Sequence, residues 1–306
     1  MKVLVTGGAG FIGSHLADAF LDRGHSVDII DNLSTGFEDN VPRKAKLYTC
    51  SFGDTDAEKI LSGGYDVVCH YAAQIDLRKS VDDPLSDLKN DVVDSVRFLQ
   101  WAVRYKVKHM VFASSGGAIY GEQFSFPADE QHPISPESPY GLHKWMIERY
   151  LHYFHKAFGL RYSAMRYANI YGPRQNSSSE AGVVAVFATR LLSGNEATIN
   201  GTGEQTRDFV YVSDAVSAAV VSVEQKYCGE VNIATGRETS VNTLFALIRD
   251  AAGSDRQPQY GPAKKGEQFR SVLSAVKAKR ELGWSPEVSI ENGIPKTVEY
   301  FKSRIV

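Results

Sequence analysis

The sequence predicts an α/β fold, with a doubly wound parallel sheet over the first half and a smaller, mixed α/β C-terminal domain after it. Three observations carry this. Short, near-continuous apolar runs recur at 2–6, 26–31, 46–49, 66–71, 109–113 and 162–166. Stretches of helical period at 12–23, 56–61, 84–105 and 141–158 separate them. A glycine-rich turn joins the first run to the first helical stretch.

Each element follows from simple chemistry. Strands covered on both faces read as continuous apolar runs rather than alternating ones. Strands alternating with helices build a parallel sheet with helices on either side. The Pro136–Pro139 segment marks the start of the helix at 141–158. After about Asn169 the regular alternation ends, interrupted by Pro173 and the turn-rich 200–203. Later helices are expected near 183–192, 214–222, 241–252, 275–282 and 290–301. The expected division is 1–168 for the first domain, with about 208–234 returning to it, and 169–306 for the second.

The chain has 306 residues, 43% hydrophobic and 23% charged, with a net charge of −2. That is the composition of a globular protein and gives no basic excess for nucleic acid. No apolar run reaches the roughly 18 residues that cross a bilayer. The opening apolar run ends in glycines and carries no small-residue cleavage site, so it reads as a strand rather than a signal. Three widely spaced cysteines, Cys50, Cys69 and Cys228, form neither a disulfide framework nor a metal pattern. His152 and His155 are one helical turn apart but have no third ligand close in sequence, so no metal is expected. The expected location is cytoplasmic.

The turn Gly7-Gly8-Ala9-Gly10-Phe11-Ile12-Gly13 carries the first chemistry. Glycine allows the backbone to turn tightly and approach a pyrophosphate, and the helix start offers free N–H groups and a positive dipole. Asp31 closes the second strand, 18 residues past Gly13. A carboxylate there accepts both ribose hydroxyls and repels a 2′-phosphate, which favours NAD over NADP. Asn32, Ser34, Thr35 and Gly36 follow it beside the expected ribose. This is the pattern of a dinucleotide-binding Rossmann domain.

Tyr140 and Lys144 are spaced i and i+4, on one face of a helix. A nearby cation favours phenolate, so the tyrosine is expected to titrate below its ordinary value of about 10. Ser114 and Ser115 close the fifth strand, where hydroxyls face the ligand crevice of a parallel sheet. They are placed to share a proton with Tyr140 and a substrate hydroxyl.

Taken together, Gly7-x-x-Gly10-x-x-Gly13, Ser114-Ser115 before Tyr120-Gly121, and Tyr140-x-x-x-Lys144 resemble the extended short-chain dehydrogenase/reductase family. The likeness is nearest to its NAD-dependent nucleotide-sugar epimerases, those acting at carbon 4 of UDP-glucose and UDP-galactose. Further matches are His70–Gln74, Arg166–Asn169, Tyr171–Arg174, Gly203–Asp208 and Lys279–Trp284, so the resemblance covers nearly the whole chain.

The resemblance implies an isomerase that epimerises a UDP-hexose through a transient 4-keto sugar. It makes Tyr140 the base and Lys144 its partner at the nicotinamide ribose. Tyr71, Ala72, Ala73, Gln74 and Tyr167 would line the nicotinamide side. Adenine would meet Ser51-Phe52 or Gly53-Asp54, with the first pair preferred. Asn169 and Arg207 would grip the diphosphate, for which a planar guanidinium is suited. Val183 and Asn200 would contact uridine. The resemblance also implies a homodimer formed by the two long helices, whose aromatic residues include Trp101, Tyr105, Trp145, Tyr150 and Tyr153.

The chain departs from the family at four places. The usual catalytic Ser/Thr position is Gly116 here, so Ser115 is taken as the hydroxyl. The usual helix asparagine is Asp91, beside Asn90. An arginine motif near the diphosphate appears as Lys264-Lys265-Gly266-Glu267, of which Lys264 and Glu267 are expected to contact substrate. Ser271 stands where a bulky tyrosine often borders the sugar's 2-position, leaving room for N-acetylated hexosamines. A 4,6-dehydratase would need an acid pair where glycines follow Ser115, and a UDP-glucuronate decarboxylase would need a glutamate and an arginine that are not evident. A binding protein without turnover is the remaining alternative, disfavoured by the intact Tyr140–Lys144 pair.

Overall fold

The computed structural model describes residues 1–74, 77–177, 182–263 and 268–304, with backbone alone for 77–79. In chain order the first half is β1 (Lys2–Thr6), α1 (Phe11–Asp22), β2 (Ser26–Asp31), β3 (Lys46–Thr49), α2 (Thr55–Leu61), β4 (Val67–His70), α3 (Leu77–Asp82), α4 (Pro84–Asp87), α5 (Asp94–Arg104), β5 (His109–Ser115), α6 (Gly116–Tyr120), α7 (Pro139–Phe158) and β6 (Arg161–Tyr167). The second half is β7 (Asn169–Tyr171), α8 (Val183–Leu192), β8 (Thr198–Asn200), β9 (Thr206–Arg207), β10 (Phe209–Tyr211), α9 (Val212–Glu224), β11 (Gly229–Ile233), β12 (Thr239–Ser240), α10 (Val241–Ala252), β13 (Gln259–Gly261), β14 (Arg270–Ser271), α11 (Val276–Leu282) and α12 (Ile290–Lys302).

Seven strands form one parallel sheet in the order β11-β6-β5-β4-β1-β2-β3. The strand order reverses between β1 and β4, where ligands enter an open α/β sheet. One face is covered by α1 and α9 through Leu16, Phe20, Val216 and Val220. The other is covered by α2, α5 and α7 through Leu61, Phe98 and Leu151. Strand residues are therefore buried from both sides, which is why β1 reads as an unbroken apolar run. A third core lies under α8, α10 and α12, built on Phe187, Leu244, Phe245 and Ile294.

Two features differ from the expectation. The single helix expected over 84–105 is interrupted by a π-helical stretch, Leu88–Val93, between α4 and α5. The widened turn rotates the chain so that Asp87 and Asp91 point inward while Asn90 stays exposed. Residues beyond the expected return also pack against the large sheet: Ala278, Leu282 and Trp284 belong to the core of α1 and α9. The Trp284 indole donates to the Asp214 carbonyl and the Ser217 hydroxyl, at 3.1 and 2.9 Å.

Candidate active site

The glycine loop lies at the switch point, and its shape explains its composition. Gly7 has φ +72°, and a Cβ there would sit 2.6 Å from the Ala72 amide nitrogen. A Cβ on Gly13 would sit 2.2 Å from the Gly7 carbonyl oxygen. The loop is thus closed on itself and pressed against the segment after β4. Helix α1 begins at Gly10 with no side-chain cap among the described residues, so its first amides face the cleft. The Phe11 and Ile12 side chains pack against the core, leaving their backbone amides as the polar groups they offer the cleft.

Asp31 is buried at the end of β2. Its Oδ2 accepts the Ala9 amide at 2.9 Å and its Oδ1 accepts the Leu33 amide at 2.8 Å. Each oxygen keeps a second lone pair for a ribose hydroxyl. The Asn32 side-chain amide donates to Ser51 Oγ at 3.1 Å, which joins the ends of β2 and β3. Ser34 and Thr35 are exposed beside them, and Gly36 lies against Ala9. Phe52 turns inward, edge-on to His70 with 4.7 Å between ring centres. Of the two adenine registers, Ser51 therefore adjoins the ribose side, while Phe52 is committed largely to packing. Gly53 lies against the Asp94 side chain.

Ser115, Tyr140 and Lys144 come together. Ser115 ends β5 and caps α6, its Oγ accepting the Ala118 amide at 3.4 Å. The same hydroxyl lies near the Tyr140 phenol and favours its ionised form. The Lys144 ammonium is 5.5 Å from the Tyr140 ring centre and 4.9 Å from that of Phe112. A Cβ on Gly116 would lie 2.3 Å from Leu273 Cδ1, so a hydroxyl-bearing side chain at 116 requires the Leu273 side chain to move.

The titration expected of Tyr140 is reversed in the protein alone. Burial pushes the phenol well above its ordinary range, Asp91 and Asp87 push it further, and the Ser115 hydroxyl opposes them. Burial lowers Lys144 from its usual value, while Asp91 and Asp87 hold its charge. The lysine's field is thus largely balanced by two carboxylates, and lowering the phenol requires positive charge brought into the cleft. Asp91 Oδ1 accepts the Gln74 amide at 3.1 Å, and its buried Oδ2 has no hydrogen-bond partner among the described residues. Asp87 Oδ2 meets His143 Nδ1 at 2.8 Å.

Two residues expected at the nicotinamide side, and one expected to face the crevice, have other commitments. The Tyr71 and Tyr167 hydroxyls bond each other at 2.6 Å, and both rings pack with the α1 and α9 core. Ser114 does not turn its hydroxyl to the crevice. It donates to Glu148 Oε1 at 2.6 Å, because successive strand residues leave on opposite sides and Ser114 takes the α7 side. The Ala72 amide lies 3.3 Å from Thr6 Oγ1, and Ala73 is half-buried between Ala72 and Gln74.

The substrate candidates group around the short strands. Arg207 on β9 pairs directly with Ser271 on β14. Ser271 is buried, and a Cβ on Gly117 would lie 3.5 Å from its Oγ, so it borders the loop after Ser115. The Asn169 amide donates to the Asp208 carbonyl at 2.9 Å, and the Asn169 side chain is exposed. Val183 opens α8 and Asn200 closes β8. Lys264 and Glu267 lie outside the described residues.

Three polar residues escaped the sequence reading. Asp208 accepts the Thr235 hydroxyl at 2.6 Å and the Gly236 amide at 2.9 Å, tying the substrate strands to the end of β11. Gln123 accepts the Val272 amide at 3.0 Å and reaches Ser271 Oγ at 3.5 Å. Glu148 is wholly buried and paired with Arg166. Glu148 carried a signal, being four residues past Lys144 on the same helix face. The other two are joined to partners distant in sequence.

A model of the NAD dependent epimerase/dehydratase family matches residues 3–234. A UDP-glucose 4-epimerase of Thermotoga maritima, crystallised with UDP-glucose, superposes with a TM-score of 0.98 at 45% identity, covering 100% of both chains. A UDP-glucose 4-epimerase of Thermus thermophilus, in complex with NAD, superposes with a TM-score of 0.93 at 38% identity over 99% of both chains. A UDP-N-acetylglucosamine 4-epimerase of Methanobrevibacter ruminantium, in complex with UDP-N-acetylmuramic acid, gives 0.94 and 36%, over 99% of this chain and 98% of that one.

Proposed function

The chain belongs to the NAD-dependent epimerase/dehydratase family, and on that premise we propose that it is a UDP-hexose 4-epimerase acting on UDP-galactose and UDP-glucose. The observation that carries the reading is the Ser115–Tyr140–Lys144 group beside the glycine loop, its lysine buried and its two hydroxyls half-buried, with no acid in the Gly116–Tyr120 turn that follows the serine. Such a site suits reversible oxidation at one carbon better than expulsion of water.

The chain fits NAD at the glycine loop. The pyrophosphate goes to the amides of Phe11 through Gly13, where the free helix end favours an anion. Asp31 takes the ribose hydroxyls. NAD supplies the acceptor and donor of hydride at carbon 4 of the sugar. Tyr140 removes the 4-hydroxyl proton, and Ser115 orients that hydroxyl. Lys144 keeps a positive charge under the phenol. Asn169 and Arg207 hold the diphosphate while the 4-keto sugar turns to present its other face for reduction at carbon 4, and Tyr140 then returns the proton to the 4-oxygen. Firm binding of the diphosphate and loose binding of the sugar follow from this requirement.

The small buried Ser271 leaves room for a 2-acetamido group, so N-acetylhexosamine forms are also substrates. The protein works as a homodimer. In support, Leu85, Val93, Leu142, Tyr150 and Tyr153 form an exposed apolar set on α4, the π-helical stretch and α7, while Trp101 is spent in the core. Among the described residues no helix is long and apolar enough to cross a membrane, and all three cysteines are free thiols. Both fit a cytoplasmic enzyme.

The test is direct. Purified protein converts UDP-galactose to UDP-glucose in a coupled assay, and Tyr140→Phe loses at least about a hundredfold in rate. No conversion by the wild type, full activity in the variant, or a stable 4-keto-6-deoxy product would each overturn the reading.

A further inference from the structure

Tyr140, Lys144 and Glu148 are spaced four residues apart and share one face of α7. The helix therefore meets the sheet at three successive levels. The Tyr140 phenol lies near Ser115, Lys144 lies over Phe112, and Glu148 reaches Ser114 and Arg166. Ser114 and Arg166 are direct cross-strand neighbours on β5 and β6, so Glu148 grips both strands at once.

The contacts are complete and dry. Glu148 Oε1 accepts Ser114 Oγ at 2.6 Å and Arg166 Nε at 3.1 Å, and Oε2 accepts Arg166 Nη2 at 2.7 Å. The remaining guanidinium nitrogen, Nη1, donates to the Tyr120 hydroxyl at 3.0 Å, and that hydroxyl donates to Asn232 Oδ1 at 2.8 Å. Glu148 and Tyr120 have no exposed surface, and Arg166 has almost none. Ser115 is thus tied on both flanks, through Ser114 before it and through Tyr120 at the end of the short helix after it. Both ties meet at the same ion pair, and its carboxylate rides on the helix that bears Tyr140.

A buried ion pair is a poor source of stability, since well-packed apolar residues do as well. Its worth lies in the geometry it imposes. We propose that Glu148 and Arg166 are positioning residues that hold Ser115 and Tyr140 in hydrogen-bond register, with the Ser114 hydroxyl as the link to β5. The proposal rests on the epimerase reading.

The experiment uses the wild-type NAD-bound enzyme with Ser114→Ala, Glu148→Gln and the double variant, assayed with UDP-galactose. Ser114→Ala leaves the ion pair intact, so its fold is safeguarded, and thermal denaturation verifies it. The expected result is a fall in kcat of roughly tenfold or more, with KM and NAD affinity within twofold. Because the nearby Ser115 hydroxyl favours the phenolate, its displacement also moves the alkaline rise of kcat to higher pH. The double variant is no slower than the slower single one, since both cut the same link. Wild-type kcat and pH profile in Ser114→Ala, a change in NAD affinity alone, or multiplicative losses in the double variant would overturn the proposal. Conversion by the wild type tests the epimerase reading separately.

Discussion

Acidification offers a quantitative check on the floor of the cleft. His70 ends β4, wholly buried between the Thr6 hydroxyl, 2.7 Å from Nδ1, and the Ser95 hydroxyl, 3.0 Å from Nε2. Burial, with the Lys144 charge, lowers its pKa to about 3. The unfolded chain protonates the same imidazole near 6.5. Below that value the unfolded state holds the extra proton, so stability present above pH 6.5 is lost as pH falls toward 3. Between pH 7.5 and 5.0 this one group removes about 2 kcal/mol. His109, lowered to about 4 by burial and Arg161, removes about 2 kcal/mol more over the same interval. The perturbation is His70→Gln, read by urea unfolding at both pH values with NAD held constant. The variant starts lower at pH 7.5, by about 1–3 kcal/mol for the disturbed hydrogen bonds. It then loses about 2 kcal/mol less than the wild type on acidification. Parallel losses in the two proteins would show that His70 is not held neutral and would refute the argument.

Three other outcomes are expected. Gly13→Ala drives a methyl to 2.2 Å from the Gly7 carbonyl oxygen, so the loop opens and NAD affinity, read by calorimetry, falls at least about tenfold; unchanged affinity would remove the pyrophosphate from this loop. Asp91→Asn takes away a carboxylate that raises the Tyr140 pKa and should shift the alkaline rise of kcat/KM down by about one pH unit; an unmoved profile would mean that the two groups do not feel each other. Ser271→Tyr fills the space beside Gly117 and lowers kcat/KM for UDP-N-acetylgalactosamine relative to UDP-galactose by roughly tenfold or more; an unchanged ratio would end the size argument.

Much of this was legible because the signals are local. A strand, a glycine turn and a helix start must be consecutive in the chain for the turn to exist, so Gly7–Gly13 and Asp31 could be read directly. The i, i+4 spacing of Tyr140 and Lys144 places them on one helix face whatever the rest of the chain does. The strands of the large sheet were readable for a similar reason, since burial on both faces leaves an unbroken apolar run. The π-helical stretch was not readable, because 84–105 keeps a helical period while its register is set by the inward turn of Asp87 and Asp91.

The sequence by itself determined the fold, the glycine loop with its acidic partner, and the identity of the tyrosine–lysine pair. Tertiary structure alone decided how those groups are tuned. It buried the Tyr140 phenol and set Asp91 and Asp87 near it and Lys144, so that Tyr140 is held protonated in the protein alone. It sent the Ser114 hydroxyl to Glu148 and left Ser115 to face the phenol. It set the Leu273 side chain against Gly116, from 157 positions further along the chain, so that any side chain at 116 must displace it. Burial and charge balance are sums over neighbours contributed by several elements, and no local spacing in the chain records such a sum.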